Sequence, residues 1–430
     1  MSNLRPFQVI ILAVFGLAAL IGLVVFASFQ GFGRTDKDVG SVTIWGTLPQ
    51  RDLEVAMNEF KRLHKEYALV TYVERPAATF DTDIANAIAS GTGPDLILLQ
   101  QEHLAAERAR LSVIPFSSIS ERDYRDVYLP AFSIFLTADG SYGIPLLVDP
   151  IVLYYNKDAL ASAGVATPPR TWEAVTGLTP TLTRSTDAGT ITRSAIALGG
   201  YDNVMNAHAI ISLLFFQSGQ SIVEGGRAAL SRGGESYGVS TAESALNFYS
   251  DFANPSKTTY TWNRSLPTSR LMFATGDLVF YLGFASERDA IVATNPNLAF
   301  DMAAVPQPGT ASTRSTYGRI YALAVPKASK NPNGAYEVAL ALTQSDVLPL
   351  IARGAGMAPG VRSLLIPATT DLYEPVYYPE ALVARGWLSP APATLDAIFA
   401  AMIGNVTSGR MNTKEALTTA DQALTAALSQ

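Results

Sequence analysis

Short aliphatic runs that alternate with amphipathic helical segments over residues 42–99 constrain this chain more than any other feature. Val42-Thr43-Ile44-Trp45 reads as a buried strand ending in the turn Gly46-Thr47-Leu48-Pro49. Leu53, Ala56, Met57, Phe60, Leu63 and Tyr67 then recur at three- and four-residue steps, the period of a helix with one buried face, and Leu69–Tyr72 returns as a strand. Asp81–Ser90 is a second helix stopped by Gly91, and Gly93-Pro94-Asp95 launches the strand Leu96–Leu99. The fold class is therefore α/β, a mainly parallel sheet flanked by helices on both faces.

Further strands are expected at Tyr142–Ile144, Ile151–Tyr155, Ser194–Leu198, Leu278–Leu282, Phe300–Ala304 and Ile320–Val325. Helices separate them. One has Thr171 as N-cap, another runs from about Asn203 to Gln217 and ends near Gly219, and a third starts at Thr241. Pro332 suits the first turn of Asn333–Leu342, and Asn412 with Glu415 forms a capping box for the last helix.

A chain of 430 residues exceeds one ordinary core and fits two lobes with a cleft between them. Only 16% of it is charged, so the surface leans on neutral polar groups. The formal charge of -6 argues against a nucleic-acid partner. There is no cysteine, which removes disulfides, thiolate metal sites, cysteine nucleophiles and a lipidated N-terminal cysteine. His64, His103 and His208 lack the spacing of a zinc helix, so no metal and no cofactor is expected.

From Pro6 to Gly33 no residue is charged, and Phe7–Phe29 is long enough to cross a hydrocarbon layer of about 30 Å. Arg5 before it, against Arg34 and Lys37 offset by Asp36 and Asp38 after it, places the N-terminus in the cytoplasm and the remainder outside. The segment reads as a single-pass plasma-membrane anchor. Ala27-Ser28 leaves a cleaved signal peptide as the alternative.

Gly234-Glu235-Ser236-Tyr237-Gly238 matches the nucleophile-elbow pattern, yet it follows glycines instead of a buried strand, and all three histidines precede Ser236. It reads as a glycine-rich loop. Gly354–Gly360 has the wrong spacing for a dinucleotide loop. No catalytic residue is assigned, although paired carboxylates for glycoside hydrolysis need be close only in space.

Tyr142-Gly143-Ile144-Pro145, Asp149, Leu153 to Leu160, Ala163-Gly164 and Pro168-Pro169-Arg170-Thr171-Trp172-Glu173, in that order, closely resemble the family 1 extracellular solute-binding proteins, the maltose-binding-protein-like sugar receptors. Phe273-Ala274-Thr275-Gly276-Asp277, Val305–Gly309 and Ala324–Pro332 agree with it. The resemblance implies a two-lobed periplasmic-binding-protein-like fold of type II that closes on a polar solute, a sugar or oligosaccharide, and presents it to the permease of an ABC importer. It implies a monomer with hinges at about Leu147–Pro150 and Asn295–Leu298 and a return crossing near Ser345. The expected division is 1–39 anchor and linker, 40–147 with 298–345 first lobe, and 148–297 with 346–430 second lobe.

By the same resemblance, Trp45 faces the cleft, Gln101 and Glu102 follow a cleft strand, and Asp149 is the leading candidate for a ligand-binding carboxylate. Asn203 and Asn206 offer side-chain amides. Ala285 stands where the maltose-binding relatives carry a stacking tryptophan, so Trp262, Tyr281 or Phe284 is expected to substitute. Tyr317 and Arg319 precede the return strand, and an arginine there suits hydroxyls or a carboxylate. A membrane-anchored glycoside hydrolase and a ligand sensor remain the alternatives.

Overall fold

The computed structural model describes residues 39–232, 235–236 and 239–429. The expected anchor Phe7–Phe29 lies outside them. No helix among the described residues is long and apolar enough to cross a membrane.

The first five elements follow the expected order: β1 (Val42–Gly46), α1 (Gln50–Leu63), β2 (Val70–Glu74), α2 (Phe80–Ala89) and β3 (Leu96–Gln100), with β1 parallel to both β2 and β3. Leu53, Ala56, Met57 and Phe60 bury one face of α1, whereas Leu63 at its end is exposed. Tyr67 lies beyond the helix in a separate short turn.

The decisive element is β4 (Ile144–Asn156), which runs unbroken for 13 residues; it starts at the last residue of the expected strand Tyr142–Ile144, leaving Tyr142 and Gly143 in a bend, and contains all of the expected strand Ile151–Tyr155. Pro145 and Pro150 lie within it, although proline cannot donate to a ladder. Here neither position needs the donor. A bulge opposite Tyr321/Ala322 accommodates Pro145, and Pro150 sits where the strand changes partner. Up to Pro150, β4 pairs with Thr316–Ala324; from Ile151 onward it pairs with Leu278–Phe284.

Two half-sheets therefore share one strand. Numbering β5 (Ile191–Ile196), β6 (Leu278–Phe284), β7 (Phe300–Ala303) and β8 (Thr316–Ala324), the order is β2-β1-β3-β8-β4-β6-β5, with β7 pairing Leu153–Asn156 of β4. The second crossing differs from the expected Asn295–Leu298. β7 still belongs to the second half-sheet and Gln307 still bridges to Thr171, so the chain reaches the first half only at β8. The return near Ser345 also comes later. The helix Leu348–Ala355 packs on α1, where a Cβ on Gly354 would overlap the Asp52 carbonyl, and Ala358–Pro359 pairs with Leu147 and Val148.

The second half carries α3 (Trp172–Leu182), α4 (Ala207–Gln217) and α5 (Thr241–Asp251), on which the two last helices, Pro392–Thr407 and Thr413–Leu428, pack. The Thr171 hydroxyl caps α3, and Asn412 with Glu415 forms both bonds of the capping box. α4 is shorter than expected, because Asn203 lies in the turn before it and Asn206 adopts a left-handed conformation at φ 61°. Glu235–Ser236 pairs antiparallel with Val239–Ser240, which places Ser236 in a hairpin.

Asp95 bolts the base of the first half together. One carboxylate oxygen accepts from the Thr43 amide, and the other from the Ser329 hydroxyl and the Lys330 and Asn331 amides. Asp95→Ala is expected to lower stability by about 2–3 kcal/mol in urea denaturation, since it strips a charged acceptor from several donors at once.

Candidate functional site

A cavity of about 770 Å³ opens between the half-sheets. The turn after β1 supplies Thr47, Leu48 and Pro49, the end of β3 supplies Gln100 and Glu102, and β8 supplies Arg319 and Tyr321. The opposite wall comes from Ser286, Glu287 and Asp289 after β6, Arg270, and the first turn of Pro392–Thr407 with Asp396. Residues 319 and 321 reach the same space because alternate residues of a strand share a face.

Glu102 and Arg319 are the two expected site residues that line this cavity. Arg319 stands cross-strand from Asp149, and its guanidinium lies 3.8 Å from the centre of the Phe284 ring. It makes no side-chain hydrogen bond among the described residues, so its donors face the cavity. Glu102 is buried and accepts on Oε1 from the Tyr317 hydroxyl at 2.7 Å, with His208 Nε2 of the second half 3.1 Å away. Burial opposes its charge, but His208, Arg319 and the Tyr317 hydroxyl outweigh burial and hold its pKa down to about 2. Glu102 is thus an ionised carboxylate whose Oε2 has no partner among the described residues.

The other expected residues lie behind the cavity wall. Trp45 is buried, with the Arg75 guanidinium 3.8 Å from its ring centre. Gln101 repairs the edge of the ladder: its Oε1 accepts from the Ile320 amide at 2.6 Å and its Nε2 donates to the Tyr317 hydroxyl at 3.1 Å. Asp149 is sealed from solvent, and both oxygens are taken by Ser286, from its amide at 3.1 Å and its hydroxyl at 2.6 Å. It positions the cavity residue Ser286 instead of facing the cavity.

Asn203 is committed to structure, accepting from the Trp262 indole at 3.0 Å and donating to the carbonyls of Asn263 and Leu266. Trp262, Tyr281 and Phe284, expected as stacking platforms, are fully buried in the second half. Tyr281 donates its hydroxyl to Glu287, and Phe284 forms the bed under Arg319. Asn206 donates to Glu287 Oε1 at 2.6 Å, and the Phe284 amide donates to the same oxygen at 3.1 Å, so Asn206 also acts through a neighbour.

Sequence reasoning missed Ser286, Glu287, Arg270, Tyr321 and the pair His103–Asp81, joined at 2.8 Å. Ser286 and Glu287 follow the carboxyl end of β6, where open α/β sheets place their ligands, and that rule was available. Tyr321 was legible as the residue two beyond Arg319. No described group of three or more His, Asp or Glu is arranged to hold a metal ion.

Over residues 48–346 the chain matches the family described as bacterial extracellular solute-binding protein, and it belongs to that family. A Brucella abortus protein described as a binding protein is 25% identical over 337 residues, covering 74% of this chain and 76% of its own. Among solved structures, the cyclic α-maltosyl-1,6-maltose binding protein of Arthrobacter globiformis superimposes with TM-score 0.73 at 18% identity, covering 90% of this chain and 98% of that one. An ABC transporter solute-binding protein of Thermotoga lettingae bound with α-D-tagatose gives 0.66 at 20% identity, covering 90% and 99%. These likenesses show the two-lobed α/β binding-protein fold.

The Asp149 carboxyl predicts a pH dependence. Burial raises its pKa from 3.8 to about 7, against the opposing bonds from Ser286. The folded chain therefore holds a proton that the unfolded chain releases, and this stabilising contribution is full below about pH 4 and lost as pH rises through 7. Asp149→Asn is expected to flatten the fall in melting temperature between about pH 4 and 7 relative to the parent. Part of the slope remains with Glu380, which burial also raises to about 7. An unchanged slope in Asp149→Asn places the proton elsewhere.

Proposed function

We propose that this chain is the extracytoplasmic receptor of an ABC importer, held at the plasma membrane by residues 7–29, and that it captures a sugar-class solute in the inter-lobe cleft without altering it. The observation that carries this reading is a cavity walled by both halves into which open donors of Arg319 and an open, ionised Glu102 oxygen project. A sugar hydroxyl both donates and accepts, so one hydroxyl pair satisfies both groups. Ligand contacts to both walls favour the closed arrangement in proportion to their difference between open and closed states, which is the form a permease reads. Structural relatives crystallised with tagatose and with maltotetraose support the carbohydrate class.

Glu102, Arg319, Ser286 and Glu287 are the proposed solute contacts, with Asp149 and Asn206 positioning them. Hinge motion falls to β4 at Pro150 and to the connections flanking β8. His208 sits between the walls of the cleft, with Nε2 at 3.1 Å from Glu102 and Nδ1 at 3.8 Å from Asp396.

Two measurements test the reading. The full chain in mild detergent should melt at a higher temperature with one or more members of a sugar panel, because a solute that binds only the native state stabilises it. Glu102→Gln and Arg319→Ala should each weaken that solute about 10- to 100-fold, the range of a lost charge-assisted hydrogen bond. His208→Ala should increase the radius of gyration of the unliganded protein in X-ray scattering. Retained affinity in both cleft variants removes these residues from the site.

A further inference from the structure

All four tryptophans of this chain are spent inside the lobes. Trp45 lies under Arg75, and the indole nitrogens of Trp172, Trp262 and Trp387 donate to Gln217, Asn203 and Ser212. Tyr321 is the one Phe, Tyr or Trp among the described residues that line the cleft. Its remaining polar lining is mostly charged, and carboxylates outnumber arginines six to three.

That lining selects by ring face and by charge. A sugar chain presents successive apolar ring faces, which aromatic side chains cover well. Against Glu102, Glu287 and Arg319 the same faces would strip water from charged groups and return no hydrogen bond. A compact solute has hydroxyls directed at every wall and meets donors and acceptors together. The Arg319 guanidinium, whose carbon lies 3.8 Å from the centre of the Phe284 ring, offers two parallel donors to adjacent hydroxyl oxygens, while Glu102 Oε2 accepts from a hydroxyl. His103 adds a buried group whose Nε2 has no partner among the described residues, its Nδ1 being held by Asp81.

Resting on the sugar-receptor reading, we infer that the solute is a compact, uncharged polyhydroxylated molecule, a monosaccharide or polyol no longer than a disaccharide, read by Arg319 and Glu102 through adjacent hydroxyls. The excess of carboxylates turns away acidic sugars.

Titration calorimetry on the full chain in detergent tests this with monosaccharides, linear and cyclic polyols, disaccharides, oligosaccharides of three to six units, and uronic acids. The expected result is that a monosaccharide, polyol or disaccharide binds at least tenfold more tightly than any longer oligosaccharide and than its matching uronic acid. Arg319→Lys, which keeps the charge and loses the fork, should weaken that solute at least tenfold. Trp262→Phe, checked for native circular dichroism, should leave its affinity within threefold. Best binding by an oligosaccharide of three or more units, or by a uronic acid, overturns the inference and leaves the sugar-receptor reading standing. A panel in which no sugar or polyol binds overturns both.

Discussion

One strand with two sets of partners organises this molecule. β4 contributes residues up to Pro150 to one half-sheet and residues from Ile151 to the other, so the halves are continuous through a backbone and not merely docked. Proline suits the switch point because it has no N–H to leave unpaired there. The cross-strand pair Asp149–Arg319 lies beside that point, and Ser286 of the second half is tied to Asp149. The floor of the cleft and the junction of the two half-sheets are therefore the same few residues.

The electrostatics of the cleft follow from that crowding. Glu102 and Asp149 are both buried carboxyls near Arg319, yet they shift in opposite directions. Glu102 has His208 and the Tyr317 hydroxyl as well as Arg319, and it stays ionised. Asp149 has the Ser286 hydroxyl and amide and the charge of Arg319 to offset burial, and its pKa rises to about 7. The number of partners, more than burial itself, separates a carboxylate suited to contacting solute from one that holds the frame.

Much of the fold was legible because it rests on local patterning. The strands β1, β3 and β6 and the caps at Thr171 and Asn412 arise from short-range periodicity and side-chain-to-backbone bonds. β4 was expected as two separate strands, and its continuity past Pro145 and Pro150 depends on partners far away in the chain. The crossing after Gln307 was misplaced for a related reason. An apolar strand such as Phe300–Ala303 carries no mark of which half-sheet it joins.

The site divides the same way. Residue types and a family resemblance sufficed to single out Glu102 and Arg319, and the pairing of β3 with β8 brings them to one sheet edge. Whether an aromatic is a platform or a core residue depends on what packs over both of its faces, which is a long-range property. Trp262, Tyr281 and Phe284 went to the interior, Asp149 turned to Ser286, and Ser286 and Glu287 came to the surface of the cleft. The sequence by itself determined the α/β class, the family and the charged groups available. Only the tertiary structure decided which of them face the cavity, because burial and pairing are set by contacts between segments more than a hundred residues apart, as between Asp149 and Ser286.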